Sequence, residues 1–196
     1  MAGPTRVASV DQRVLVERAG RGDHDAFAAL VRGTVARLDA AARLILHDPE
    51  LARDAVQEAY VLAWRDLPGL RDPGRFDAWL HRITVRSCLT ILRRRRHRAI
   101  EVELTPTTDI PVGDTGSFIV DRDQVERALR RLEPGMRAVV VLHYFLGLPL
   151  PDAAEALGIP LGTAKSRLHR SLAAMRADLN AELGSEAFEL PRGQTV

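Results

Sequence analysis

Cys88 is the only cysteine, which excludes any disulfide within the chain. It lies in an apolar stretch with helical spacing and reads as a small core residue rather than a reactive thiol. No apolar run approaches the roughly 18 residues needed to cross a bilayer, so membrane insertion is not expected. Residues 1–10 lack the apolar core of a signal peptide, which points to the cytoplasm. Aromatics make up 5% of the chain against 46% hydrophobic residues. The cores must therefore be built from Leu, Val, Ile and Ala, which favours helix packing over sheets. Lysine is almost absent: among 28 cationic residues the only one is Lys165. Arginine is thus the chain's habitual cation, and its abundance alone argues for nothing. The net charge of +2 says little about partners, so the distribution of charge has to carry that argument. Grouped carboxylates and paired His or Cys ligands are missing. His24, His47, His81, His97, His143 and His169 are scattered, and no nucleophile has an evident base beside it. No enzymatic activity, metal or cofactor is expected.

What is present is helical periodicity, interrupted once. Residues 1–10 read as a disordered leader, and periodicity begins near Asp11. Asp23 or Asp25 can cap a helix to about His47, with Phe27, Leu30, Val31, Val35, Leu38, Ala42 and Ile45 near one face. Asp48-Pro49 starts a second helix to about Leu67, with Ala52, Ala55, Val56, Ala59, Tyr60 and Ala63 at helical spacing. Pro68-Gly69 and Asp72-Pro73-Gly74 mark a loop. A further helix spans about 75–97, with Phe76, Trp79, Leu80, Ile83 and Ser87 as its buried stripe. Residues 101–121 then hold Glu101, Glu103, Asp109, Asp114 and Asp121, together with Pro106, Pro111, Gly113, Gly116 and several Thr, and no basic residue. This is the composition of an extended acidic linker. Its length without periodicity argues for two domains. Helices resume at about 122–132, 135–146, 151–157 and 161–182. The expected organisation is all-α: a leader at 1–10, a helical domain at 11–98, a flexible acidic linker at 99–121, a second small helical domain at 122–183, and a tail at 184–196.

Residues 150–170, LPDAAEALGIPLGTAKSRLHR, have the pattern of a helix-turn-helix. A short helix ends at Leu157-Gly158, where Gly158 can take the left-handed conformation a sharp exit needs. Ala154 is small where the helices must approach, and Ala164 and Leu168 face inward. In this motif the second helix lies in the DNA major groove. From Pro160 to Arg176 that helix has Lys165, Arg167, Arg170 and Arg176 and no acid. Thr163, Lys165, Ser166, Arg167, His169 and Arg170 are the candidate DNA contacts, to bases or phosphates. Gly158, Gly162, Lys165 and Ser166 only faintly echo a phosphate-binding loop, which needs Lys directly after the second Gly and a strand before it. Arg93, Arg94, Arg95, Arg96 and Arg98 form the densest positive run and can track a phosphate backbone. A solvated helix end favoured by the macrodipole is the plainer alternative.

Residues 52–64 (ARDAVQEAYVLAW), 75–83 (RFDAWLHRI), 92–98 (LRRRRHR) and 132–172 (LEPGMRAVVVLHYFLGLPLPDAAEALGIPLGTAKSRLHRSL) together resemble the extracytoplasmic-function (ECF) subfamily of bacterial sigma factors. The resemblance covers most of the chain apart from leader, linker and tail. It implies a factor that binds core RNA polymerase, directs it to promoters by recognising −35 and −10 elements, and promotes strand opening. It implies that Asp54, Gln57, Glu58 and Val61 meet the clamp helices of the largest subunit. The helix-turn-helix domain is expected to meet the flap of the second-largest subunit and the −35 element. For the −10 element the resemblance points to the loop from Leu67 to Arg75, with Arg71 and Asp72, and to Arg86, Thr90, Arg93 and Arg94. Many members of the family have Asn at the position of Arg86 and Asp at that of Thr90, so the −10 preference is open. Glu101, Glu103, Asp109 and Asp114 can imitate a polyanion in the basic cleft of the polymerase. An anti-sigma protein is an implied partner, beside core polymerase and promoter DNA. The competing readings are a stand-alone helix-turn-helix regulator with a sensing or dimerising first domain, and an enzyme carrying a DNA-binding tail.

Overall fold

Short polar caps set where the helices begin. The computed structural model describes residues 5–101 and 120–186, with side chains over 11–95 and 123–180. Among these residues are eight α-helices and no strand. Helix α1 (Thr5–Gly20) closes through Gly22, whose φ of 93° lets the amides of Gly22 and Asp23 return to the carbonyls of Ala19 and Arg18. Asp23 then caps α2 (His24–Leu46) by accepting from the amide of Ala26 at 3.0 Å. Asp48 caps α3 (Pro49–Asp66) by accepting from the amides of Glu50 and Leu51, and Pro49 sits where its missing N–H is not needed. Two 3-10 turns, Leu67–Gly69 and Pro73–Arg75, lead into α4 (Phe76–Glu101). The second unit holds α5 (Val120–Arg131), α6 (Pro134–Val140), a π-helical turn (Val141–Phe145), α7 (Leu150–Leu157) and α8 (Leu161–Glu186).

The observed bounds correct the expected ones at three places. The chain is helical from Thr5, not from Asp11, so residues 5–10 do not form a disordered leader. The first turns of α1 carry only Val7 and Val10, in line with Val14 at helical spacing, as apolar signal. α4 continues to Glu101 and α8 to Glu186, past the expected domain ends at 98 and 183. Residues 1–4, most of the acidic linker (102–119) and most of the tail (187–196) lie outside the described residues.

Small residues build the first unit. Ala41 and Ala42 of α2, Ala52, Ala55, Ala59 and Ala63 of α3, and Leu80, Val85 and Cys88 of α4 are fully buried. Phe76 and Leu67 close one end of this core. Val35 is exposed, which departs from the expected α2 stripe, and Trp79 and Ile83 are half-buried. A smaller core of Ala128, Leu129, Leu132, Val140 and Met175 joins α5, α6 and α8, with Met136 and Leu168 against it.

The two units are not held apart. α7 packs on α4, and α6 packs on α2 and α4. Ala138, Val141, Leu142, Leu146, Leu148, Ala153 and Ala156 belong to the same buried cluster as the α2–α4 core. Arg37 of α2 donates to the carbonyl of Phe145 at 3.1 Å. Arg75 meets Asp152 at 3.5 Å, and Arg82 forms an ion pair with Glu155. Helical periodicity does not say which helix covers Leu142, Ala153 and Ala156.

Two histidines are held neutral by this packing. Burial pushes His47 down to about 4, helped by the nearby cations Arg137 and Arg130. Burial also pushes His81 down to about 4, Arg37 adding to this while Asp77 opposes it. Neither His47 Nε2 nor His81 Nδ1 has a hydrogen-bond partner. Both rings have an ordinary value of 6.5 once unfolded, so the unfolded chain binds protons that the folded chain refuses. Stability is therefore full above pH 6.5 and falls as the pH drops towards 4. Urea midpoints measured between pH 7.5 and 4.5 are expected to decrease along this window. His81→Gln and His47→Gln should each flatten the profile.

Candidate nucleic-acid interface

The turn between α7 and α8 is made by one residue. Gly158 adopts φ 64°, ψ 36°, so its own amide bonds to the carbonyl of Glu155 and the amide of Ile159 to that of Ala154. Ala154 and Ala164 are buried, as close helix approach requires. This aims the first turns of α8 away from the protein. Lys165, Ser166, His169 and Arg170 are exposed, while Thr163 is half-buried. Ser166 donates its hydroxyl to the Thr163 carbonyl at 3.0 Å, so the free chain spends that donor on its own helix. Ser171, which the pattern does not single out, is fully buried and donates to the carbonyl of Arg167 at 2.8 Å and of Met136 at 3.4 Å. Its hydroxyl ties α8 to α6.

Arg167 does not join the exposed set. Its side chain is half-buried and lies over Gly135, where a Cβ would meet its Nη1 at 2.9 Å. The lack of a side chain at Gly135 thus makes room for the guanidinium against α6. Beside it, Arg137 is 6% exposed and donates to the carbonyl of Leu132 at 3.3 Å. Burial pushes Arg137 down to about 10, which leaves it cationic at neutral pH.

On the first unit, Leu67 is buried at 2% exposure and belongs to the core, which corrects its expected place on the DNA-facing loop. Arg71, Asp72 and Arg75 are the exposed members of that loop. Asp72 shapes it: one carboxylate oxygen accepts from the amide of Gly74 at 2.9 Å and lies 3.8 Å from Arg13. Arg75 is turned towards Asp152 of the second unit. Arg86, Thr90, Arg93 and Arg94 follow one face of α4 at helical spacing. Arg86, Arg93 and Arg94 are exposed, and Thr90 is half-buried, donating to the Arg86 carbonyl at 2.8 Å. Arg95 reaches Asp48 at 3.7 Å. The side chains of Arg96 and Arg98 lie outside the described residues.

The outward face of α3 is different in kind. Asp54, Gln57 and Val61 are exposed, Val61 at 64%, and Glu58 is half-buried. Gln57 and Val61 border a groove of about 710 Å³ between α2 and α3, floored by Val31, Val35, Val56 and Tyr60. The Tyr60 hydroxyl and Thr34 Oγ1 share a hydrogen bond of 2.7 Å. Trp64 forms the groove's end by stacking on His24 at 4.6 Å and meeting Phe27 edge-on at 4.9 Å. Val35, expected on the buried stripe of α2, lies in this groove instead, and nothing in the sequence pattern marks it. Burial pushes the Cys88 thiol up to about 12, so it stays a protonated core residue. Among the described residues no group of His, Cys, Asp and Glu can hold a metal, and no helix is long and apolar enough to cross a membrane.

Comparison with known proteins places matches on both units. Residues 27–98 match the family described as sigma-70 region 2, and residues 122–175 match sigma-70, region 4. The ECF RNA polymerase sigma factor SigM of Mycobacterium tuberculosis is 37% identical over 153 residues, covering 78% of this chain and 76% of that protein. The structure of CnrH in complex with the cytosolic domain of CnrY is similar at a TM-score of 0.63 and 30% identity, over 87% of this chain and 98% of that one. The sigma factor RpoE of Bartonella quintana, solved with the anti-sigma factor NepR, is similar at a TM-score of 0.62 and 25% identity. That match covers 79% of this chain and 96% of RpoE.

Asp72 and Arg71 are neighbours with different duties in the folded loop. Asp72→Ala removes the acceptor for the Gly74 amide and is expected to destabilise the chain by about 1 kcal/mol in urea titration. Arg71→Ala, which removes an exposed side chain, should shift stability by less than about 0.5 kcal/mol.

Proposed function

The chain belongs to the ECF subfamily of sigma-70 factors, and from that premise we propose how its surfaces divide the work of promoter recognition. As a sigma factor it binds core RNA polymerase and directs it to promoters. The observation that carries this function is the order of two matched units in one chain: region 2 followed by region 4. A stand-alone regulator leaves the region 2 match without a role and is not favoured. The catalytic chemistry of transcription belongs to the polymerase, and this chain supplies choice of site. It works where the polymerase works, in the cytoplasm.

Domain limits follow the same division: residues 11–98 extended by α1 and the end of α4, and residues 122–183 extended by the end of α8. The −35 element is read by α8 through Lys165, Ser166, His169 and Arg170, with Thr163 at its first turn. Their exposure and the absence of any acid from Pro160 to Arg176 support this. Arg167 serves first to hold α8 on α6. The −10 element lies along Arg86, Thr90, Arg93 and Arg94, with Arg71, Asp72 and Arg75 in the adjoining loop. Asp54, Gln57, Glu58 and Val61 form the edge presented to the clamp helices, and the apolar groove beside them gives that contact buried area. The flap of the second-largest subunit meets the second unit. An anti-sigma partner fits the same reading, because two similar proteins were solved with such partners or with a named cytosolic domain. Glu103, Asp109 and Asp114 of the linker lie outside the described residues, and their role as a polyanion mimic stands on charge alone.

Run-off transcription with purified core polymerase tests the function directly. Specific initiation is expected only when this chain is added, and none would refute it. Lys165→Ala should weaken promoter binding by roughly tenfold. Arg93→Ala with Arg94→Ala should reduce the slope of log affinity against log salt by about 2.

A further inference from the structure

A second cavity, of about 360 Å³, lies among α1, α2 and α4 and shares no residue with the α2–α3 groove. Its size falls in the range of about 300–1,000 Å³ seen for pockets that hold small molecules. Opposite charges enter it from different helices. Asp11 of α1 and Asp77 of α4 bring carboxylates, and Arg37 of α2 brings a guanidinium. Two hydrogen bonds fix these groups: Gln12 donates its side-chain amide to Asp77 at 2.6 Å, and Arg37 donates to the Phe145 carbonyl at 3.1 Å. Each keeps capacity to spare, because a carboxylate accepts at two oxygens and a guanidinium carries five N–H groups. Leu15 and Leu30 add apolar surface.

Two further observations point to a ligand. His81 borders the cavity from α4 and is only 6% exposed, yet its Nδ1 has no hydrogen-bond partner. The ring feels both Asp77 and Arg37, so it lies near both charges. A buried polar atom left unpaired costs stability, and a donor brought into the cavity would remove that cost. The second observation is Gly33, which borders the cavity from the middle of α2. A Cβ there would meet no atom within 4 Å, so close packing does not require glycine. Where α2 does meet its neighbours closely, it uses Ala41 and Ala42. Glycine weakens a helix interior relative to alanine. What it supplies here is room, and backbone that a bound molecule can approach.

We propose that this cavity binds a small amino acid with an aliphatic side chain. The ammonium group is held by Asp11 and Asp77, the carboxylate by Arg37, and the side chain rests on Leu15 and Leu30. The ammonium also brings the N–H donors that the neutral His81 ring lacks. Asp11, Asp77 and Arg37 are exposed, so water screens these contacts and the affinity is millimolar rather than micromolar. The ligand touches three helices at once and needs them folded, so occupancy stabilises the first unit. The site does not rest on the promoter-recognition reading: neither its residues nor its test involve DNA, and either can fail alone.

The test uses the full chain with nitrogen-15-labelled histidine, titrated with L-leucine and followed by nuclear magnetic resonance. The imidazole signal that disappears in His81→Gln is expected to shift saturably, while those of His143 and His169 in the second unit stay in place. The thermal midpoint should rise with leucine concentration. Isoamylamine and isocaproate each keep one of the two charged groups and should bind about tenfold more weakly or worse. Gly33→Leu places a side chain in the cavity and should abolish the shift without lowering the thermal midpoint. Asp77→Asn should weaken binding about tenfold. A His81 signal that leucine never shifts saturably overturns the site. So does leucine binding that Gly33→Leu and Asp77→Asn both leave unchanged. Isoamylamine or isocaproate binding as tightly as leucine overturns the assignment of an amino acid.

Discussion

Alanine meets helix backbone wherever α2, α3 and α4 cross. Ala41, Ala42, Ala52, Ala55, Ala59 and Ala63 expose no surface, and side chains this small bring helix axes to the short end of the usual 8–10 Å separation. The depth at which α3 sits follows from this, and so does the position of everything on its far side. Asp54, Gln57 and Val61 project from a rod with no slack beneath it, and Val31 and Val35 of α2 and Tyr60 of α3 line the groove beside them. The same close approach fixes the bearing of α4, and with it the row of Arg86, Arg93 and Arg94. Replacing any one of these alanines by a leucine would force the helices apart, since a core at this density has no spare volume.

Charge is laid over that frame with little waste. Carboxylates are used locally to start helices, at Asp23 and Asp48, or to shape a loop, at Asp72. Cations are left on the outer faces of α4 and α8. Where a cation is taken inside, as Arg137 is, burial draws its proton affinity down but not far enough to discharge it. The neutral His47 and His81 lie close to that interior charge and to Arg37, and their neutrality removes a repulsion that the packing of the units would otherwise meet.

The elements themselves were legible in the residues. Asp23, Asp48, Pro49 and Gly158 announce their caps, and the stripes of α3 and α8 follow 3.6-residue spacing, so helix type and order could be read directly. The helix-turn-helix was legible for a physical reason: Gly158 is needed at a positive φ, and Ala154 and Ala164 are needed at a close crossing. Three features were not legible. The packing of α7 on α4 depends on contacts across a linker, and periodicity reports which face is buried without reporting by what. Leu67 and Arg167 look like surface residues in a loop and on a basic helix; one is core and the other lies over Gly135, 32 positions earlier in the chain and outside any local pattern. The start of α1 rests on Val7, Val10 and Val14 alone, a stripe too short to stand out from the polar residues around it.

Lys165 is the only lysine of the chain, and it stands exposed on α8, the second helix of the helix-turn-helix. Chemistry directed at side-chain amines therefore has a single address in this protein. Acylation, biotinylation or cleavage by a lysine-specific protease would report on one point of one helix, and shielding of that point would be a footprint of whatever covers α8, free of background from any other side chain.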